Sequence, residues 1–201
     1  MKKTLIIFSI LYFLTSSLLA LESGEQLIKS LQNKFNSISA FSADFMETSN
    51  GKVSLAGKLF YGKVNKMRLE LKNLTIVSDG ITNWSYNKKE NKVVISNYDP
   101  GDPSVISLEK IINDYPSQCN LIVGKEGDTD ILTFLPGKPG LNFKNAKIFI
   151  NPGSLINKVD LTDQNNNNIQ IEFSNYQLNK NISTSTFTFT PPKGSKVIDL
   201  R

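Results

Sequence analysis

From Phe41 onward the apolar residues of this chain recur every second position, and that period persists almost to its end. Side chains two apart share one face of a strand, so the pattern predicts half-buried strands with one apolar and one wet face. Phe41, Ala43 and Phe45 alternate with polar residues, Asn50-Gly51 supplies a hairpin dipeptide, and Val53, Leu55, Leu59 and Tyr61 follow. Met67, Leu69 and Leu71 alternate with Arg68, Glu70 and Lys72. Further strands are expected at 75–77, around Trp84 and Tyr86, and at 92–96, 120–123, 130–135, 147–150, 155–161, 169–173 and 186–190. Gly124, Gly127, Pro136-Gly137, Pro152-Gly153 and the asparagine tract 165–168 mark turns between them. Short turns between such strands make a mainly β (α+β), antiparallel sheet.

Two stretches depart from this period. In 22–38, Leu27, Ile28, Leu31, Phe35 and Ile38 fall at three- and four-residue steps, and Ser23 with Gln26 has the spacing of a capping box. In 107–115, beyond the break at 100–103, Leu108, Ile111, Ile112 and Tyr115 form a shorter stripe. A single sheet with one apolar face has to cover it. It can curl on itself with the helices closing the mouth, and its apolar lining then either interdigitates into a dry core or encloses a cavity for a hydrophobic ligand.

Composition removes most catalytic chemistry. The chain has no histidine and one cysteine, Cys119, which excludes Ser-His-Asp and Cys-His relays, imidazole metal sites and an internal disulfide. Ser78-Asp79, just before Gly80, reads as a turn, because Asp-Gly is a hairpin dipeptide and Ser78 has no base to activate it. An enzyme would have to rely on carboxylates such as Asp79 and Asp102, facing one another about 5–10 Å apart. No cofactor and no metal is expected.

Lys2 and Lys3, an apolar run to Leu14 and the small polar residues before Ala20 have the three-part form of a secretory signal peptide, 1–20, with an uncleaved anchor as the alternative. Residues 21–201 then form one domain, long enough to bury roughly 70% of its unfolded surface. Subtracting the two leader lysines from a formal charge of +5 leaves a mild excess scattered along the chain, which does not suit nucleic acid.

The stretch IVSDGITNWSYN, with Ser78, Asp79 and Gly80 followed by Trp84 and Tyr86, resembles the signature of the LolA family of periplasmic outer-membrane lipoprotein carriers. The final stretch FTFTPPKGSKVIDL is similar to that family's closing strand, and the strand at Phe41 to Phe45 and the Asn50-Gly51 hairpin come in the family's order. The resemblance implies an unclosed barrel with a helical lid, a periplasmic and monomeric shuttle, and acylated lipoproteins as cargo. It further implies an inner-membrane ABC-type lipoprotein-releasing complex as donor and an outer-membrane lipoprotein acceptor. A free lipid or glycolipid ligand, an envelope-stress sensor of the same fold, and a protein that binds a polypeptide at its sheet edge are the competing readings.

On the cavity reading, Phe45, Met67, Leu69, Trp84, Ile171, Phe173, Phe187 and Phe189 line the site from the sheet, and Ile111 and Ile112 from the lid. Trp84 and Tyr86 fit a barrel core equally well. Where the family has an arginine followed by proline in the turn after the second strand, an arginine that helps latch the lid, this chain has Lys63-Val64. Lysine keeps the charge and loses the planar fork of donors, so Lys63 is either the latch in another form or an ordinary turn lysine, with Arg68 as the other candidate for the role.

Overall fold

The computed structural model describes residues 23–99, 108–179 and 181–201. The expected signal peptide, the break at 100–103, Asp102 and Ser107 lie outside the described residues. After helix α1 (Gly24–Ser37) come strands β1 (Ala40–Ser49), β2 (Lys52–Gly62), β3 (Lys66–Leu71), β4 (Leu74–Asp79), β5 (Thr82–Asn87) and β6 (Lys92–Asn97). A second meander follows, β7 (Cys119–Glu126), β8 (Thr129–Pro136), β9 (Phe143–Ile150), β10 (Ile156–Asp163) and β11 (Asn168–Leu178), and β12 (Lys196–Asp199) ends the series.

These strands make one twelve-stranded sheet in the order β12-β6-β5-β4-β3-β2-β1-β11-β10-β9-β8-β7. Neighbours are antiparallel except β12, which runs parallel to β6. The two outer strands, β12 and β7, do not pair with each other, so the sheet is curled and unclosed, as the family resemblance implies. The seam that unites the two meanders is β1 against β11, with Phe45 opposite Phe173.

Local chemistry explains the elements. At α1 the Ser23 hydroxyl accepts from Gln26 N while the Gln26 amide oxygen accepts from Ser23 N, closing the expected capping box. Leu27, Ile28 and Leu31 are the buried stripe of that helix. Asn50 and Gly51 both have positive φ, 48° and 79°, as a tight two-residue hairpin requires. Ser78-Asp79 is a turn: the buried Ser78 hydroxyl accepts from Gly80 N, and Asp79 Oδ1 accepts from Ile81 N and Thr82 N at 2.8 and 2.7 Å.

Two expectations are corrected. The short helix at 107–115 is helical at Leu108-Glu109, then widens into a π-helical segment, Lys110–Asp114, and tightens into a 3₁₀ turn, Tyr115–Gln118. Tyr115-Pro116 accounts for the change, because proline at the start of the 3₁₀ turn brings no N–H to continue a helical ladder. The strand at 186–190 does not form; Thr184–Phe187 is a 3₁₀ turn capped by the Ser183 hydroxyl. Its alternating Phe and Thr imitate a strand, but local serine and threonine bonds bend the backbone there instead.

The core lies on the concave face. Phe41, Ala43, Phe45, Leu59, Leu71, Phe134, Ile148, Val159, Ile171 and Phe173 from the sheet join Leu27, Leu31 and Ile112 in one cluster. Val77, Val93, Ile95 and Phe187 are equally buried but stand outside that cluster, on the convex side.

An apolar cavity within the curled sheet

The concave face is not filled by its own side chains. A cavity of about 990 Å³ opens between the sheet and the segment 108–118. Phe45, Leu55, Leu59, Met67, Leu69 and Ile76 form one wall, and Phe134, Phe143, Ile148, Val159, Leu161, Ile169, Ile171 and Phe173 the other. Leu108, Ile111 and Tyr115 roof it. Strands β1, β8, β9, β10 and β11 contribute the residues nearest their Asn50, Gly140 and Asn165 ends, and the polar lining of the sheet (Glu47, Asn142, Asp163, Gln164, Asn165) gathers there, while Lys110, Asp114 and Gln118 come from the roof. That end is the mouth.

The opposite end is plugged by aromatics. Phe35 and Phe41 each pack on Tyr61 with ring centroids 5.1 Å apart, and Phe41 meets Tyr176 at 5.5 Å. Phe173 links Tyr176 to Phe45, carrying the ladder down to the cavity wall. The Tyr176 hydroxyl donates to the Ile156 carbonyl, and burial raises its pKa above the ordinary tyrosine value. Tyr61 is raised too, by burial first and by the Glu109 carboxylate second. A hydroxyl held neutral inside an apolar plug adds no charge to the cavity floor.

Of the residues singled out from sequence, Phe45, Met67, Leu69, Ile171, Phe173 and Ile111 line this cavity. Ile112 does not; it turns into the core beneath the roof, and its carbonyl accepts from Gln32 Nε2 of α1 at 3.1 Å. Trp84, Phe187 and Phe189 are also absent from the lining. Trp84 stands opposite Val77 and Ile95 in the register, so it shares their convex face. Phe187 sits over Gly62, where any Cβ would lie 3.1 Å from its ring, and the Phe189 ring packs 5.5 Å from that of Tyr86. The physical reason is a second cover: residues 181–195 cross the back of β2 to β6, and Arg68 pins them by donating to the Thr186 carbonyl. Arg68 therefore faces away from the cavity and does not replace the latch.

Lys63 makes one side-chain bond, from Nζ to the Asn36 carbonyl in the last turn of α1 at 2.9 Å, beside the Lys63 N–H to Ser39 O bond. A cation there satisfies a carbonyl that the helix leaves open and complements the helix dipole. The bond ties the β2–β3 turn to α1, not to the 108–118 roof. In the turn itself Val64 and Asn65 have φ of 63° and 58°, a conformation closed to proline, so the turn has a different shape from one built on an Arg-Pro pair.

Leu55, Leu59, Phe134, Phe143, Ile148, Val159, Leu161 and Tyr115 belong to the lining and were not singled out from sequence. Alternation assigned most of them to one face of a strand; only the curl of the sheet says which face is concave. No group of three metal-ligating side chains occurs among the described residues, and Cys119 is a free thiol whose pKa burial raises.

The profile of the family described as outer membrane lipoprotein carrier protein LolA matches residues 36–190. An outer-membrane lipoprotein carrier protein of Haemophilus influenzae (strain PittEE) is 29% identical over 215 aligned positions, covering 100% of this chain and 99% of its own length. The protein of the same description from Proteus mirabilis is 28% identical over 183, covering 85% and 87%. Among solved structures, an uncharacterized conserved protein from Thermus thermophilus superposes with a TM-score of 0.61 at 11% identity, over 89% of this chain and 99% of that one. That likeness speaks to the fold.

Proposed function

Because the chain belongs to the LolA family of outer membrane lipoprotein carrier proteins, we propose that it is a periplasmic shuttle that shelters the acyl chains of lipoproteins in the concave cavity. It takes them up at the inner membrane from an ABC-type releasing complex and yields them to an acceptor at the outer membrane. The observation that carries this reading is the 990 Å³ void with mostly apolar walls, a volume at the upper end of small-ligand sites. An acyl chain of some fifteen methylenes would cost on the order of 12 kcal/mol to expose to water, so crossing an aqueous space requires such a shelter.

The walls do the binding and the segment 108–118 acts as the lid. Leu108 and Ile112 hold it down by burial, and the Gln32 bond ties it to α1. Against these, the buried Glu109 Oε2 has no hydrogen-bond partner, and the segment changes from π-helical to 3₁₀ winding along its length. A cover held by a few apolar contacts and opposed by an orphaned carboxylate oxygen opens at low cost. Carriage needs no bond-making chemistry, and Asp79, the nearest thing to a catalytic carboxylate in the sequence, is committed to its own turn.

The test is release: the purified chain without residues 1–20 is added to spheroplasts of its source organism, and newly made lipoproteins are sought in soluble complex with it. Release that depends on the added chain is expected. A folded protein that releases none, yet carries lipid through purification, would transfer the cavity to a free lipid or glycolipid.

A further inference from the structure

At the end of the sheet away from the mouth, two neighbouring turns hold aliphatic side chains out in solvent. Val64, in the β2–β3 turn, is 75% exposed, and Ile81, in the β4–β5 turn, is 76% exposed, more than any other large apolar residue described. The turns touch: a Cβ on Gly80 would fall 2.3 Å from the Val64 carbonyl oxygen, so only glycine allows this approach. The tips of the turns at 50–51, 72–73, 88–91, 127–128 and 164–167 carry asparagine, glutamine, glycine and charged residues instead.

Nothing in the stability of the chain calls for these two residues. Val64 is β-branched and sits at φ 63°, where asparagine or glycine would be less strained, and its side chain covers no core. Strain retained without burial points to a use outside the molecule. The platform is also stiff, since Asp79 accepts from both Ile81 N and Thr82 N, and Lys63 fixes the other turn to α1.

The surrounding charge selects the partner. Lys63 and Lys66 flank Val64, and Lys34 lies in the last turn of α1, to which Lys63 is bonded. Of the carboxylates nearby, Asp79 is turned onto its own backbone amides and the exposed Asp99 follows Tyr98, whose N–H donates to the Ile81 carbonyl, so the three lysines outnumber them. Exposed aliphatics beside an excess of lysines suit an interface of apolar acyl groups beneath anionic phosphates. We propose that Val64 and Ile81 form a tip by which the protein seats transiently on an anionic phospholipid surface. The cavity mouth then faces away from the bilayer, so a loaded protein can rest on a membrane without its mouth contacting it. The inference stands on the tip alone and does not depend on what the cavity carries.

Flotation of the chain without residues 1–20 on vesicles of phosphatidylcholine, and of an equal mixture with phosphatidylglycerol, tests it. Association with the anionic vesicles only, weakened by salt, is expected. Val64→Asn and Ile81→Asn should each reduce it about tenfold, and the pair should abolish it. Asparagine accepts the φ of position 64, so the thermal midpoint of Val64→Asn should hold or rise, separating lost contact from lost fold. Failure of the unsubstituted chain to float, or undiminished flotation of the double variant, overturns the proposal. So does a double variant defective in lipoprotein release when the parent chain does not float, which would assign the tip to a protein partner.

Discussion

The two faces of the sheet were given much the same material and came to different ends. The concave face carries Phe45, Leu59, Met67, Leu69, Ile171 and Phe173 and keeps a void of about 990 Å³. The convex face of β2 to β6 carries Val77, Val93, Ile95 and Trp84, and the chain's own Phe187 and Phe189 lie against it. The difference is not in hydrophobicity but in how wide a surface the covering chain has to close. Helix α1 and the segment 108–118 span a wide bowl without filling it, while residues 181–195 lie flat along a narrow strip.

The largest effect that separates the faces should come from Phe187→Ala. It removes a buried ring from the convex cluster and is expected to cost about 3–5 kcal/mol in urea unfolding. Binding of an acylated peptide to the folded fraction should be unchanged. If affinity falls in step with stability, the two faces are one coupled core. The converse substitution, Leu69→Trp, places bulk in the void and should weaken acylated-peptide binding at least tenfold, about 1.4 kcal/mol, while unfolding shifts by less than ~1.5 kcal/mol. A large loss of stability would mean that the void is already occupied by packing. In the unsubstituted chain the emission of Trp84 should stay constant through that titration, because its face is the convex one.

Smaller effects sharpen the same contrast at the plugged end. Lys63→Ala deletes the bond to the Asn36 carbonyl and should cost about 0.3–1 kcal/mol, visible as faster amide exchange in the last turn of α1. Exchange in 108–118 should not change, since the bond does not reach the roof. Tyr61 and Tyr176 have pKa values raised by burial above the ordinary value of 10. A group whose folded pKa exceeds its unfolded pKa contributes stability that is complete below the unfolded value and is lost as pH rises past it. The tyrosine contribution to the unfolding free energy should therefore be lost as pH rises above about 10, and Tyr176→Phe should reduce that loss.

Much of the architecture was legible because strand alternation, hairpin dipeptides and a capping box are local signals. Asn50-Gly51, Asp79-Gly80 and Ser23 with Gln26 each need only their neighbours to form. The cavity was half legible. Alternation against Arg68 and Glu70 places Met67 and Leu69 in its lining, where they are found, but the same rule places Trp84 and Phe189 there too. Alternation separates two faces and does not say which is inside, and at β4 and β5 both faces are covered. Phe187 and Phe189 escape the rule for a further reason: Ser183 and Ser185 offer backbone bonds that a two-residue period does not register.

The seam between β1 and β11 has a consequence for how the molecule is made. Within each meander most strands pair with their sequence neighbours, but Phe45 must find Phe173 across most of the chain. Local hairpins close with little loss of chain entropy; the seam does not, and joints of this kind slow folding. The bowl is also a product of that joint, since one wall comes from β1 to β4 and the other from β8 to β11. During synthesis neither half alone encloses any space, so the cavity comes into being only when the last long-range partner arrives.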